Sequence, residues 1–595
     1  MPNIPHRATL AGVLALPLIV GAGFLGWRVP QSSDRGHGVA PPTAPAGSLP
    51  VGGTSYKVPK GALFVSPSGD DGAQGTREHP LRSLGRAVAR AGSGSTVVLR
   101  GGVYHESVDV PRGKRLTIQS FPREAVWFDG SSLVTGWRAD GSAWARDGWT
   151  TRFDSSPTYT KGARPSDKAD FRFVSPEHPM AAHPDQLWVD GVRQEQVASR
   201  GQVKPGTFFV DEGASRLYMG SDPRGRNVRA STLGIAVTID SEGSTLRGIG
   251  FRRYGTALPD IGMVRVTAPR ITVENVTTTE SATTGLTVVA AHARVRRLTS
   301  SRNGLLGVHA NTADDLRLES VLLDHNNRER FKYSPVSGGF KITRSRTVAV
   351  VGSTIVDNLG KGLWIDESVR DITITGDRIL RNAHHGVSLE LSARALVAGN
   401  VISGNAGDGL KVNNTSDVRI WNNSMSGNGR TLGLDQDPRR PDDPSVPGRD
   451  PRQKTPDPAM TWRVEKISIS NNTFADARPG TPCLLCVADH TGKRDAGRMG
   501  ITVNGNLYVR QSASNPRTLI MWSNRPFGDL DRFRSATGQE ARGAARDGGT
   551  AASPEGALDP AIAARANTAT ALPLPADIAK LLGRPAGTRH MGAFF

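Results

Sequence analysis

The sequence predicts an all-β chain wound as a solenoid of short strands, and two registers carry that prediction. Six glycine-led segments, GLTVV (285–289), GVHAN (307–311), GFKIT (339–343), GLWID (362–366), GVSLE (386–390) and GLKVN (409–413), start 22, 32, 23, 24 and 23 residues apart. A second set of apolar positions, Val273, Val295, Leu318, Val350, Ile374, Val397 and Ile420, is spaced by 22, 23, 32, 24, 23 and 23 residues. One insertion near 324–338 explains both steps of 32. Composition agrees with this reading. Hydrophobic residues make up only 37%, glycines number 68 and asparagines cluster after residue 300, which suits short strands with tight turns and excludes a helical bundle.

The elements follow in order. The chain opens with MPNIPHRATLAGVLALPLIVGAGFLGWRVP, in which His6 and Arg7 precede an apolar run of 20 residues from Ala8 to Trp27. That run is long enough to span a bilayer, so residues 1–30 read as a signal peptide or membrane anchor, without a clear A-x-A cleavage site. Either places the bulk of the chain outside the cytoplasm, secreted or at the cell surface, and an uncleaved anchor adds a membrane contact. Residues 31–60, rich in Pro, Gly and Ser, read as a linker. Residues 61–130 read as an N-terminal cap and first coils: Leu81, Leu84, Val88 and Ala91 have helical spacing over 80–91, and TVVLRGGVY and RLTIQS read as strands.

Residues 131–232 break the repeat with segments such as QLWVDGVRQEQV and read as an inserted β-rich module able to shape a cleft. The main solenoid then covers 233–540, with a Pro/Asp-rich loop at about 435–459 between RIWNNSMSGN and SISNNTFAD. The Ala/Gly/Pro-rich tail, 541–595, contains a short helix at PADIAKLLG and is expected to close the C-terminal end, where unpaired strand edges would otherwise be exposed. Cys483 and Cys486 cannot form a four-ligand zinc site alone, and the reading stays open between a local disulfide and two buried thiols. The net charge of +19 favours a polyanionic partner, although the basic residues are spread along the chain. No zinc finger or aromatic RNA-binding motif occurs, which argues against nucleic acid.

Side-chain alternation locates a candidate site. In the six glycine-led segments the second and fourth residues are all apolar and face inward. The third and fifth residues then face outward: Thr287, His309, Lys341, Trp364, Ser388 and Lys411 in one column, and Val289, Asn311, Thr343, Asp366, Glu390 and Asn413 in the other. Asp366 and Glu390 fall on adjacent rungs, so their carboxyl groups should lie roughly 5 Å apart, the separation used by retaining glycosidases. Like charges so close are destabilising unless used, and two such carboxylates cannot both ionise easily. Trp364 offers a stacking face, and His309, Asn311, Lys341, Ser388, Lys411 and Asn413 offer polar contacts to a sugar. Lys341 should keep Asp366 ionised, while Lys411 should lower Glu390.

These features resemble right-handed parallel β-helix proteins of the pectate-lyase-like superfamily over roughly residues 61–540. The stretch from FVSPSGDDGAQGTREHPLRSLGRAV to LRGGVYHESV looks like the opening of many carbohydrate-active members, and RHMGAFF like a common ending. Narrower still, GLWID followed one coil later by GVSLE resembles β-helix glycoside hydrolases of the family 120 β-xylosidase type. That resemblance implies an Asp nucleophile and a Glu acid/base at Asp366 and Glu390, a polysaccharide or oligosaccharide substrate and no cofactor. It does not extend to xylose specificity.

Two other readings follow from the same face. With Lys341 and Lys411 in the cleft, the substrate could be an acidic sugar and the chemistry that of a lyase or C5-epimerase, with Lys341, Lys411, His309 or His384 as the base. Calcium enters only with that lyase reading, and no tight aspartate cluster demands it. The third reading is a non-catalytic glycan-binding surface protein. His384 and His385 are expected to diverge rather than share a metal, and the 324–339 insertion either walls the cleft, with Arg328, Arg330 or Tyr333 reaching substrate, or is a solvated loop.

Overall fold

The computed structural model describes residues 45–594, apart from 164–171, 444, 455, 550–551 and 554–557. The apolar run at 8–27, with its signal or anchor reading, lies outside the described residues. These pair into three thirteen-stranded sheets along a right-handed parallel β-helix, plus an eight-stranded sheet standing off it. Both predicted registers hold. Thr287, His309, Lys341, Trp364, Ser388 and Lys411 pair in succession along one sheet. Val273, Val295, Leu318, Val350, Ile374, Val397 and Ile420 do the same along another.

The glycine column has a steric cause. A Cβ on Gly362 would stand 2.5 Å from the carbonyl oxygen of Gly386 and 2.8 Å from Asn382 Nδ2. The next rung passes too close for any side chain. Inside the coil, Leu363 and Ile365 join a continuous apolar core from Val65 to Phe533. At the turns, asparagines stack: Asn326, Asn358, Asn382 and Asn405 each pass an Nδ2 hydrogen bond of 2.9 Å to the Oδ1 of the next ladder asparagine. A second ladder runs through Asn400, Asn423, Asn472 and Asn506. It ends on buried Glu540, which accepts from Asn506 and Tyr508.

The inserted sheet runs from Ser131–Leu133 to Val228–Ser231 around its own small core of Leu187, Phe208 and Leu217. Its loops return to the solenoid, where Phe173, Ala181 and Ala182 pack against Leu305, Phe331 and Val336. The N-terminal helix spans Leu84–Arg90, capped by Ser83. It starts later than the 80–91 spacing implies because Leu81 pairs with Val65 as a bridge. Residues 45–60, read as linker, instead lie against the coils: Ser48 Oγ is 2.9 Å from Thr277 Oγ1, and Asn275 Nδ2 donates to Tyr56 Oη at 2.9 Å. The C-terminal end is covered by the helix Leu530–Thr537, whose Phe533 packs on Trp522 and Phe527. The tail does not do this. Its helices Pro560–Ala569 and Ala576–Leu581 lie along the flank, where Ile578 meets Ala398. Cys483 and Cys486 form a disulfide. Among the described residues no helix is long and apolar enough to cross a membrane.

One rung of the second ladder departs from asparagine. Asp377 accepts from Ser353 N at 2.7 Å and donates its own N–H to Asn400, but its Oδ2 is buried without a partner. Burial pushes this carboxyl up to about 8. A raised folded-state value means that stability falls as pH rises from the unfolded Asp value toward 8. Asp377→Asn should therefore stabilise the protein by on the order of 2–4 kcal/mol at neutral pH, with a gain that vanishes near pH 4. Melting curves across that range test this, and a pH-independent difference would contradict it.

Candidate functional site

The third and fifth positions do leave the coil outward, but they are not solvent-exposed. Lys341, Trp364, Asp366, Ser388 and Asn413 are all buried, and His309 nearly so. Three segments cover them. From the inserted module, Tyr159 lies 5.2 Å from the His309 ring. From the insertion before Gly338, the carbonyl of Pro335 accepts from Lys341 Nζ at 2.7 Å and Tyr333 lies 4.9 Å from His384. The loop between Leu432–Gln436 and Glu465–Ser470 supplies the third wall.

Asp366 and Glu390 follow directly on the pair Ile365 and Leu389, so they share one column on neighbouring rungs. Lys341 Nζ donates to Asp366 Oδ2 at 2.8 Å, and the N–H of Glu367 to Oδ1 at 2.7 Å. Both oxygens therefore accept, the pattern of an ionised carboxylate. Burial raises Asp366 above the ordinary range, and Lys341 only partly offsets this. Glu390 differs. Arg439 Nη2 donates to its Oε1 at 2.7 Å, Trp364 Nε1 to its Oε2 at 3.1 Å, and Lys361 Nζ lies 3.7 Å away. Burial would raise Glu390, but Lys361 and Arg439 outweigh it and hold it below the ordinary range. Lys361 itself is pushed down, chiefly by burial.

Several expectations need correction. Trp364 offers no open stacking face, because Lys341 Nζ and Lys361 Nζ stand 3.4 and 3.0 Å from its ring centroid. Both ammoniums are held by cation–π attraction as well as by carboxylates. The charges that lower Glu390 most are those of Lys361 and Arg439, followed by Lys341, rather than that of Lys411. Asn413 is spent on the protein, donating to the carbonyl of Asp435 at 3.1 Å and to Asp437 Oδ2 at 3.0 Å. His309, brought down to about 4 by burial and Lys341, is neutral at physiological pH, and its Nδ1 has no partner. Asn311 Oδ1 and Ser388 Oγ are likewise buried without partners. His384 and His385 do not diverge: their rings lie 4.1 Å apart, with His385 Nδ1 accepting from the Asp408 N–H at 2.9 Å. Of the insertion residues, Tyr333 reaches the site, whereas Arg328 lies beside Arg193 and Glu329 and Arg330 is exposed. Among the described residues, no three His, Cys, Asp or Glu side chains converge as a metal site.

The residues missed in the sequence are Lys361, Tyr159 and Arg439. Arg439 belongs to a loop that looks like a linker but acts as a strap. Gly448 O accepts from Ser368 Oγ at 2.8 Å, and Asp450, fully buried, lies between Arg346 and Arg452. Arg452 in turn reaches Asp314 at 2.9 Å. A signal was present: Asp-Pro-Arg occurs three times, and two of the copies, at 437–439 and 450–452, fall in this loop. In both copies the arginine N–H donates to the aspartate Oδ1 at 2.9 Å, and the guanidinium folds back onto the same carboxylate. Each motif thus presents a pre-ordered arginine, one to Glu390 and one to Asp314.

Comparison with known proteins agrees with the fold. Residues 261–430 match the family described as right handed beta helix region. The chain is 41% identical over 76 residues to the uncharacterized protein YwoF of Bacillus subtilis (strain 168), covering 12% of this chain and 16% of that one. It is 38% identical over 77 residues to pectate lyase PEL9 of Emericella nidulans, covering 12% of this chain and 19% of that one. The matches thus span less than a fifth of these curated relatives. Among solved structures, the complex of XylC with xylose superposes with a TM-score of 0.56 at 14% identity, over 78% of this chain and 86% of that one.

The strap makes a prediction about Glu390. Arg439→Gln should raise the Glu390 pKa, because one of its two dominant cations is gone. The proton taken up by Glu390 should appear as a difference in titration between Arg439→Gln and the double variant Arg439→Gln/Glu390→Gln. Superimposable titrations down to pH 4 would show that Lys361 suffices.

Proposed function

We propose that this protein is an extracytoplasmic enzyme that hydrolyses glycosidic bonds by double displacement, with Asp366 as nucleophile and Glu390 as acid/base. The observation that carries the reading is the carboxylate pair itself: two nearly buried acids, one rung apart on one face, each held by its own cations. Asp366 accepts on both oxygens, which fixes an ionised, oriented nucleophile. One oxygen would attack the anomeric carbon as the bond to the leaving oxygen breaks. Glu390 would give that oxygen a proton, then take one from the water that releases the sugar. In the resting state Arg439 and Trp364 occupy both Glu390 oxygens, so Glu390 serves as the acid only once Arg439 is drawn away. The complex of XylC with xylose, which shares this fold, supports a carbohydrate ligand. The apolar run at 8–27 and the Cys483–Cys486 disulfide support a location outside the cytoplasm.

A β-elimination reading is favoured by one observation, the depressed pKa of buried Lys361. A neutral lysine could take the C5 proton of a uronic acid while the C4–O bond breaks, a C4–C5 double bond forms and the departing oxygen takes a proton from water.

Purified protein lacking residues 1–44 should be screened on a glycan panel, with products read by mass. Hydrolysis adds one water across the cut, whereas elimination leaves an unsaturated sugar. Asp366→Asn should abolish turnover, and Glu390→Gln should lower it by about 10²–10⁴-fold on substrates with poor leaving groups. Full activity in both variants would overturn the proposal. The nucleophile must be ionised and its pKa is raised, so activity should be lost on acidification at a pH above the ordinary Asp range. Lys341→Gln should move that limb higher still, and an unmoved limb would separate Asp366 from it.

A further inference from the structure

Beyond the carboxylate pair, the same face holds a half-buried cation that has no hydrogen-bond or ion-pair partner among the described residues. Lys341 is paired with Asp366, Lys361 with Glu390, and Arg439 with Glu390 and Asp437. Arg430 forks onto Asp408 at 2.6 Å and Asp435 at 2.5 Å. Its guanidinium lies against Gly433, where a Cβ would meet Nη2 at 2.6 Å, so it fills the rung beside Lys411. Lys411 stands between that rung and Ser388. It feels the charges of Asp408 and Asp435. Among the described residues, however, its ammonium makes no hydrogen bond or ion pair. Two polar atoms beside it are also unanswered. Ser388 Oγ, on the adjoining rung, is fully buried without a partner, and so is His384 Nδ1 in the turn before that strand. Burial together with Lys361 and Lys411 brings His384 down to about 4, so it adds no positive charge at neutral pH.

A buried polar atom without a partner, as Ser388 Oγ is, costs free energy unless a ligand completes it. Lys411 has three donors and no acceptor, and the Ser388 hydroxyl can donate as well. The complementary group is acceptor-only and anionic. Lys411 pairs with Ser388 and Asn413, two residues on, pairs with Glu390, so Lys411 lies one rung beyond Ser388, on the Glu390 side of the carboxylate pair. Resting on the glycosidase reading, we propose that Lys411 and Ser388 form a subsite for the carboxylate of a uronic acid, in the sugar unit on the Glu390 side of the bond that is cut. The substrate is then an acidic glycan rather than a neutral one. The carboxylate meets the Lys411 ammonium through a charge-assisted hydrogen bond, which is stronger than the bond a neutral sugar hydroxyl makes there.

The test separates binding from turnover. Ligand-observed NMR titrations of the intact protein with glucuronate and galacturonate are compared with glucose and galactose. The uronates should bind about tenfold more tightly than their neutral counterparts, as expected of a charge-assisted contact. Lys411→Gln should erase that preference and leave the neutral sugars unchanged, while Lys411→Arg should keep much of it. An unchanged melting temperature in each variant confirms that the fold is intact. Uronates binding no better than neutral sugars, not binding at all, or binding equally well to Lys411→Gln would each overturn the subsite. Uronate-selective binding without turnover of any uronide would leave the subsite standing and remove the hydrolase reading. Turnover confined to neutral glycans would do the reverse.

Discussion

Everything in this molecule depends on one constraint: each coil must lie on the last with its residues in register. Rungs about 4.8 Å apart leave no room for side chains where the backbone passes closest. Glycine holds that column, as the 2.5 Å approach at Gly362 demonstrates. Polar turn groups inside the stack have no water to bond, so asparagine meets asparagine from rung to rung. A slip of one residue would turn the apolar set outward and break both ladders at once. The same register that builds the core also places Asp366 beside Glu390 and Ser388 beside Lys411.

Stacking brings like groups together, and the outer face of this sheet shows the electrostatic consequence. Two carboxylates and three lysines fall on four consecutive rungs, buried or half-buried under loops. Desolvation raises the acids and lowers Lys361, while ion pairing works in the opposite sense. The outcome differs at each group because the partners differ. Asp366 has one lysine and stays raised, whereas Glu390 has Lys361 and Arg439 and is held low. The second of these cations is delivered by the strap, so the proton affinity of Glu390 is coupled to the seating of a loop.

Much of this was legible in the sequence because a repeating fold repeats its constraints. Spacing alone set the register of Trp364 against Ser388, and alternation alone put Asp366 and Glu390 on the outer face. What alternation cannot show is what lies over that face. Trp364 reads as a stacking platform until two ammoniums are found on its ring. Lys361 was missed because it precedes the glycine from which the alternation was counted, though it pairs in register with Gly338. Arg439 and Tyr159 come from segments that obey no repeat, and their contacts span 49 residues to Glu390 and about 150 to His309. The two Asp-Pro-Arg copies of the loop were visible, but the same tripeptide at 222–224 only folds back on itself at the surface, so its meaning needs the third dimension.

The central claim is that Asp366 attacks and Glu390 passes the proton, even though the resting charges leave Glu390 ionised. The most direct measurement is to trap the intermediate with 2-deoxy-2-fluoro glycosides carrying good leaving groups, in xylosyl, glucosyl and glucuronosyl forms. Intact mass and peptide mapping then locate the attached sugar. The account predicts a single adduct on the peptide containing Asp366, absent from Asp366→Asn and still formed by Glu390→Gln. An adduct on Glu390, or none with a sugar whose natural glycoside is hydrolysed, would contradict it.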